Sequence, residues 1–158
     1  MTVHPIPPLY DENSRVLILG SFPSVKSREQ SFFYGPPQNR FWRVIAAVLG
    51  EAEPATIDEK RAMILGHNLA LWDVIASCEI EGSADSTIRD AAPNDLSPIL
   101  NAAPIEKIYL NGRTAEKYYK KYTEPDIGRP AVCLPSTSPA NAAWNVERLI
   151  GAWKVIIQ

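Results

Sequence analysis

Arg15-Val-Leu-Ile-Leu19 runs directly into Gly20-Ser21-Phe22-Pro23-Ser24, and the chain continues through Tyr34-Gly-Pro-Pro-Gln-Asn39-Arg40-Phe41-Trp42. The apolar run has the length and branching of a buried strand, and Gly-Ser-x-Pro is turn chemistry. From Asn39 the apolar positions Phe41, Trp42, Ile45, Val48 and Leu49 follow helical spacing until Gly50 stops them. A polar loop between a strand's carboxyl end and a helix is where open α/β sheets place their ligands. A second loop of this kind, Pro135-Ser136-Thr137-Ser138-Pro139-Ala140-Asn141, follows another apolar run at residues 130–134. Two such loops can face each other across one cleft.

Outward from these loops, strands and helices alternate. Thr56, with Glu59 three residues later, has the form of a capping box opening a helix that ends near Gly66. Residues 68–77 suit either a strand or a short buried helix. Residues 78–95 are polar, with little periodicity, and read as a loop over one face; residues 95–101 read as a short helix. A strand at 106–110 ends at Asn111-Gly112, and a helix from Arg113 to about Tyr122 follows. From Ala142 the spacing of Trp144, Leu149, Ile150 and Trp153 gives a closing helix, while residues 154–157 suit strand equally well. Residues 1–14, rich in proline, read as an irregular arm. Alternation with short connections argues an α/β fold whose parallel sheet is covered on both faces.

With 158 residues and no linker, the chain is expected to form one domain with a continuous core. No apolar stretch approaches the ~20 residues needed to span a bilayer, and the first residues lack the basic and apolar segments of a signal peptide. A cytoplasmic monomer with no membrane association is expected. Cys78 and Cys133 lie far apart and only His4 and His67 accompany them, too few for a four-ligand zinc or iron–sulfur site. No metal or organic cofactor is therefore expected, and Cys133 reads as a small core residue. The net charge of -2 argues against a broadly basic nucleic-acid binder. An enzyme that visits DNA transiently needs only a local basic rim.

Gly-x-Ser-x-Gly, a phosphate-binding G-x-x-x-x-G-K-[ST] and H-x-E with paired cysteines are all missing from the sequence. His67 reads as a helix-terminus residue and His4 as part of a mobile arm, so histidine acid–base chemistry is not expected. Amides and hydroxyls stand at the strand ends instead: Ser21, Asn39, Asn111, Ser136, Ser138 and Asn141. An amide takes no proton at neutral pH, but it offers two donors and an acceptor. Such groups suit the edge of a heterocycle, the orientation of a water and the stabilisation of developing negative charge. Phe22 and Tyr34 are the two candidates for a stacking face.

Taken in order, Leu19-Gly-Ser-Phe-Pro-Ser24, Tyr34-Gly-Pro-Pro-Gln-Asn-Arg-Phe-Trp42, Leu110-Asn-Gly112 and Leu134-Pro-Ser-Thr-Ser-Pro-Ala-Asn-Ala142 resemble the uracil-DNA glycosylase superfamily, most of all its hypoxanthine-DNA (deoxyinosine) glycosylase branch. The resemblance runs from about Arg15 to Trp153. It implies a three-layer α/β/α fold around a mainly parallel four-stranded sheet. It also implies a monofunctional DNA-repair enzyme that flips a deaminated base out of double- or single-stranded DNA and hydrolyses its N-glycosidic bond, leaving an abasic site. By motif, Asn39 is the catalytic amide. Gly20, Ser21, Phe22, Tyr34 and Asn111 bind the base. Pro23, Ser24, Arg40, Ser136, Thr137, Ser138, Pro139 and Asn141 meet the DNA. Better-known uracil-excising members carry an aspartate near the place of Phe22 and often a histidine near Ser136 or Thr137. The Asn39 carbonyl is then expected to hold the attacking water and the Asn111 amide to stabilise the leaving base. On that expectation the site works with carboxamides alone, unaided by carboxylates or imidazoles, on good leaving groups such as hypoxanthine and uracil.

Blander readings stand beside these. Asn39 suits a helix N-cap, Asn111-Gly112 a strand-to-helix turn and Ser138-Pro139 another turn. The four tryptophans suit core packing, and the basic residues of the 113–122 helix suit a solvated face. The functional rivals are a uracil or thymine mismatch glycosylase of the same fold and a non-catalytic module that binds nucleotides or damaged DNA.

Overall fold

A computed structural model describes residues 1–158. In chain order the elements are β1 (Thr2–Val3), β2 (Val16–Gly20), α1 (Val25–Gln30), α2 (Phe41–Leu49), α3 (Ile57–Gly66), β3 (Leu69–Asp73), β4 (Ile75–Glu79), β5 (Arg89–Pro93), α4 (Ser97–Ala102), β6 (Lys107–Asn111), α5 (Arg113–Tyr118), α6 (Glu124–Ile127), β7 (Val132–Leu134) and α7 (Val146–Trp153). Four strands form a wholly parallel sheet in the order β3-β2-β6-β7. The mixed α/β fold with a covered parallel sheet agrees with the sequence.

Alternation along the strands separates two cores. Ile18, Leu69, Leu71, Tyr109 and Leu134 face one side, where α2, α3 and α7 cover them with Phe41, Trp42, Ile45, Ile64, Leu149 and Trp153. Leu17, Leu19, Ala70, Ile108 and Leu110 face the other, against Ile75, Cys78, Ile99, Ala115 and Tyr118. Each large apolar side chain taken fully out of water contributes about 1.5–3 kcal/mol, so strands apolar on both faces belong in the middle layer. Local signals set the helix ends. Thr56 Oγ1 accepts from Glu59 N at 3.1 Å, and Gly50 closes α2 in the left-handed region at φ 72°.

Three local expectations give way, and two stretches left open are decided. Thr2 and Val3 pair antiparallel with β4, and Ile6 and Leu9 are buried, so the first residues form a docked segment, not an irregular arm. Prolines interrupt its pairing without preventing it. Residues 68–77 form two strands broken at Val74. The polar 78–95 stretch contains the end of β4, a 3-10 turn at Asp85–Thr87 and β5, which join β1 in a small antiparallel sheet. Residues 154–157 close as a 3-10 helix. Cys133 is only half-buried because β7 is an edge strand, and its side chain lines the cavity described next.

Candidate active site

Gly20, Asp73 and Asn111 end the three adjacent strands β2, β3 and β6, and Gly20 and Asp73 lie side by side in register. Above them opens a cleft of about 1320 Å³, bounded by both Pro/Ser loops. That exceeds the ~300–1,000 Å³ usual for a small ligand and leaves room for a nucleotide with its flanking backbone.

Asn39 and Asn111 share this cleft and are joined through one side chain. Thr137, which has no exposed surface, donates its hydroxyl to Asn39 Oδ1 at 2.9 Å and accepts from Asn111 Nδ2 at 3.1 Å. Its backbone N–H donates to Asn111 Oδ1 at 3.0 Å. Asn39 Oδ1 also accepts from Phe41 N at 2.9 Å, at the start of α2. Backbone donors fix the orientation of both amides. Asn39 is not the N-cap expected of it: Arg40 holds that position without a side-chain cap bond, and Asn39, one residue earlier, uses its oxygen on Phe41 N and leaves Nδ2 free. This corrects one expectation: the Asn39 carbonyl already accepts two hydrogen bonds and is not the group that holds a water.

Arg40 shows why the second loop sits where it does. Its guanidinium donates to the carbonyls of Thr137 (3.3 Å), Ser138 (2.7 Å), Asn141 (3.2 Å) and Trp144. The phosphate contact expected of Arg40 is replaced by a clamp on its own chain. Neighbouring positions are similarly committed. Thr137 and Pro23 are buried and offer no surface to DNA; Ser24 caps α1 by accepting from Ser27 N. Ser136 and Ser138 accept from Ser138 N and Ala140 N, and Asn141 Nδ2 donates to Ser136 O. Pro139 alone of these eight is exposed. Gly112, at φ 97°, brings its Cα so close to Ser136 that a Cβ would stand 3.0 Å from the serine Cβ.

Of the two aromatic candidates, Phe22 is buried edge-on against His4, at 5.9 Å between centroids. Tyr34 stacks on Phe41 at 3.9 Å and holds a left-handed φ of 52°, a strained conformation for an aromatic residue. Its hydroxyl is buried with no hydrogen-bond partner, and burial, with the nearby Asp73 carboxylate, pushes it far above the usual tyrosine range.

The sequence reading missed three residues here. His4 Nδ1 accepts from Ile6 N at 3.2 Å, so Nε2 carries the proton and donates to Asp73 Oδ2 at 2.7 Å, with both side chains buried. The other Asp73 oxygen lies against Gly20, where a Cβ would stand 2.4 Å away. Asp85, from the 3-10 turn, faces the cavity, and Ser21 Oγ lies 3.1 and 3.0 Å from its two oxygens. The residue is exposed, but to the cleft; the surrounding protein desolvates its carboxyl and pushes it above the usual carboxylate range, Ser21 working against that shift and Asp73 adding to it. The cleft thus holds two carboxylates that the sequence reading did not place there, with an imidazole behind one of them. Asp73 was legible as the end of a strand, had residues 68–77 been resolved as one; nothing in the polar loop marked Asp85. No cluster of three or more His, Cys, Asp or Glu side chains is placed to hold a metal ion, and no helix is long and apolar enough to cross a membrane.

Two fixed amides in a cleft of nucleotide size, at the carboxyl ends of a helix-covered parallel sheet, suit an α/β enzyme acting on a nucleobase. The sequence matches the uracil DNA glycosylase superfamily over residues 7–156, and the chain belongs to that superfamily. It is 39% identical over 147 residues to a hypoxanthine DNA glycosylase of Methanosarcina acetivorans, covering 90% of each chain. A protein of the same name from Methanosarcina barkeri is 37% identical over 140 residues, covering 85% of each. The fold superposes with a TM-score of 0.79 on a Methanosarcina acetivorans protein solved by solution NMR, at 32% identity and 97% coverage of both.

Proposed function

We propose that this protein removes hypoxanthine from DNA by hydrolysing the N-glycosidic bond of deoxyinosine, leaving an abasic site, and that it works as a cytoplasmic monomer. The observation that carries the reading is the Asn39–Thr137–Asn111 bridge, which presents two oriented amides in one cleft. The names of the two Methanosarcina relatives point to the same base. The target nucleotide is extruded from the duplex into the cleft, at a cost that mispairing lowers. Cleavage builds positive charge on the sugar and negative charge on the departing base. With its oxygen engaged, Asn39 acts as a donor through Nδ2, and the remaining Asn111 hydrogen adds a second donor at the base edge. Each such donor in a dry site contributes about 3–4 kcal/mol at most to the transition state.

Excision assays on single strands and duplexes carrying deoxyinosine, deoxyuridine or deoxyxanthosine test this. Alkali-labile product is expected fastest from deoxyinosine. Product from deoxyuridine alone makes it a uracil enzyme of the same fold, and binding without product removes the catalytic reading.

A further inference from the structure

Hydrolysis at C1′ leaves a proton to be placed. The water oxygen bonds to C1′, the C1′–N9 pair departs with the base, and the water must lose a proton to some group in the cleft. Neither amide can take it. The titratable side chains lining the cleft are few, and all but one are otherwise committed. The Tyr34 hydroxyl is buried, and Asp73 lies buried behind Gly20 with one oxygen bound by His4. Burial pushes the Cys133 thiol up, away from proton acceptance near neutrality. Glu116 is engaged by Lys120 at 3.5 Å, and Arg113 is a permanent cation.

Asp85 remains. We propose that Asp85 is a catalytic residue that accepts the proton of the attacking water, and that Ser21 is the positioning residue that holds it. This assignment rests on the glycosylase reading above. The carboxylate opens on the cleft, and Ser21 spans both its oxygens at 3.0 and 3.1 Å. The turn that bears it is fastened across the cleft: Ser83 Oγ accepts from Val25 N at 2.9 Å, and Arg28 donates to Gly82 O at 2.8 Å. Atoms and charge balance. Water's hydroxyl goes to the sugar, its proton to Asp85, and the bond pair to the base. Before that transfer the carboxylate's negative charge also favours the cationic sugar. A carboxyl raised toward neutrality by desolvation is a stronger proton acceptor than an ordinary one, as general-base catalysis requires. The charged and titratable groups around it are Asp73, Tyr34, Cys78 and Tyr118, with Arg28 near Cys78 and Arg113 and Glu116 on the cleft wall.

The test is single-turnover excision from a deoxyinosine duplex by wild type, Asp85→Asn, Asp85→Ala and Ser21→Ala, across pH and with added formate. Asp85→Asn is expected to slow the chemical step roughly 10²–10⁴-fold while duplex affinity and melting temperature hold. The wild-type rate climbs as pH rises through the Asp85 titration, and that limb disappears in Asp85→Asn. Formate restores part of the rate to Asp85→Ala and none to wild type. Because the Ser21 hydrogen bond favours the ionised form, Ser21→Ala moves the limb to higher pH. A rate for Asp85→Asn within about threefold of wild type overturns the assignment; so does a slow variant that keeps the acid limb and ignores formate. A wild type inert on deoxyinosine, deoxyuridine and deoxyxanthosine overturns the glycosylase reading and this assignment together, whereas an active wild type with an indifferent Asp85→Asn overturns the assignment alone.

Discussion

On one side of the cleft, the carbonyls of Thr137, Ser138, Asn141 and Trp144 are all held by the guanidinium of Arg40, and Thr137 is wholly buried. On the other, residues 81–86 are exposed along their length, tied down by side-chain bonds from Ser21 and Arg28 and to Val25. The first wall presents amides whose orientation leaves nothing to adjust at the moment of reaction. The second presents a carboxylate on a lighter mount. Damage to the first wall should therefore cost stability and excision together, and damage to the second excision alone.

Substitutions at Asn39, Arg40 and Thr137 would break or sharpen that contrast. Asn39→Ala should lower the single-turnover excision rate about 10²–10³-fold and leave duplex binding, followed by fluorescence anisotropy, largely intact; an unimpaired variant removes Asn39 from the chemistry. Arg40→Ala strips the charged donor from the second loop and should destabilise the protein by about 3 kcal/mol in urea unfolding, with excision falling in step. A stable Arg40→Ala protein would show that the loop holds its own shape. Thr137→Val keeps volume but leaves both amides without their bridge, for roughly 1–3 kcal/mol and about a tenfold slower excision, whereas Thr137→Ser should stay near wild type. A Thr137→Val protein as stable and as active as Thr137→Ser would show that the hydroxyl bridge does not matter.

The smallest effect concerns neither wall. Burial raises the phenols of Tyr109 and Tyr118 and pushes Tyr119 up to about 12. The unfolded chain then releases protons first, so their stabilisation is complete below pH 10 and declines as pH rises from 10 toward 12. Denaturant midpoints across that window should fall, and Tyr119→Phe should flatten the fall.

The sheet and its flanking helices were legible because period and punctuation agreed at the same residues: the branched run at 16–19, the helical spacing after Asn39, Gly50 and Thr56. The two amides were legible because the ends of strands in such sheets, and the loops that follow them, collect ligands. The acidic half of the site was not. Asp73 sat in a run whose apolar residues suit strand and helix alike, and only pairing with β2 decided between them. Asp85 lies in a turn held by side chains distant in sequence, which no local pattern encodes. His4 was hidden by prolines that suggest disorder, though the segment gains its order from pairing with β4. Arg40 and Thr137 were placed at the right location with the wrong task, since a motif fixes where a residue stands and not whether its hydrogen bonds are already spent.

The bond between His4 and Asp73 joins residues 69 positions apart. The segment that carries His4 is held by a two-residue strand at the margin of a small sheet, by the buried Ile6 and Leu9, and by a bridge from Leu9 to Leu71. Where that segment loosens ahead of the rest of the fold, the carboxylate of Asp73 loses its imidazole partner at the base of the cleft.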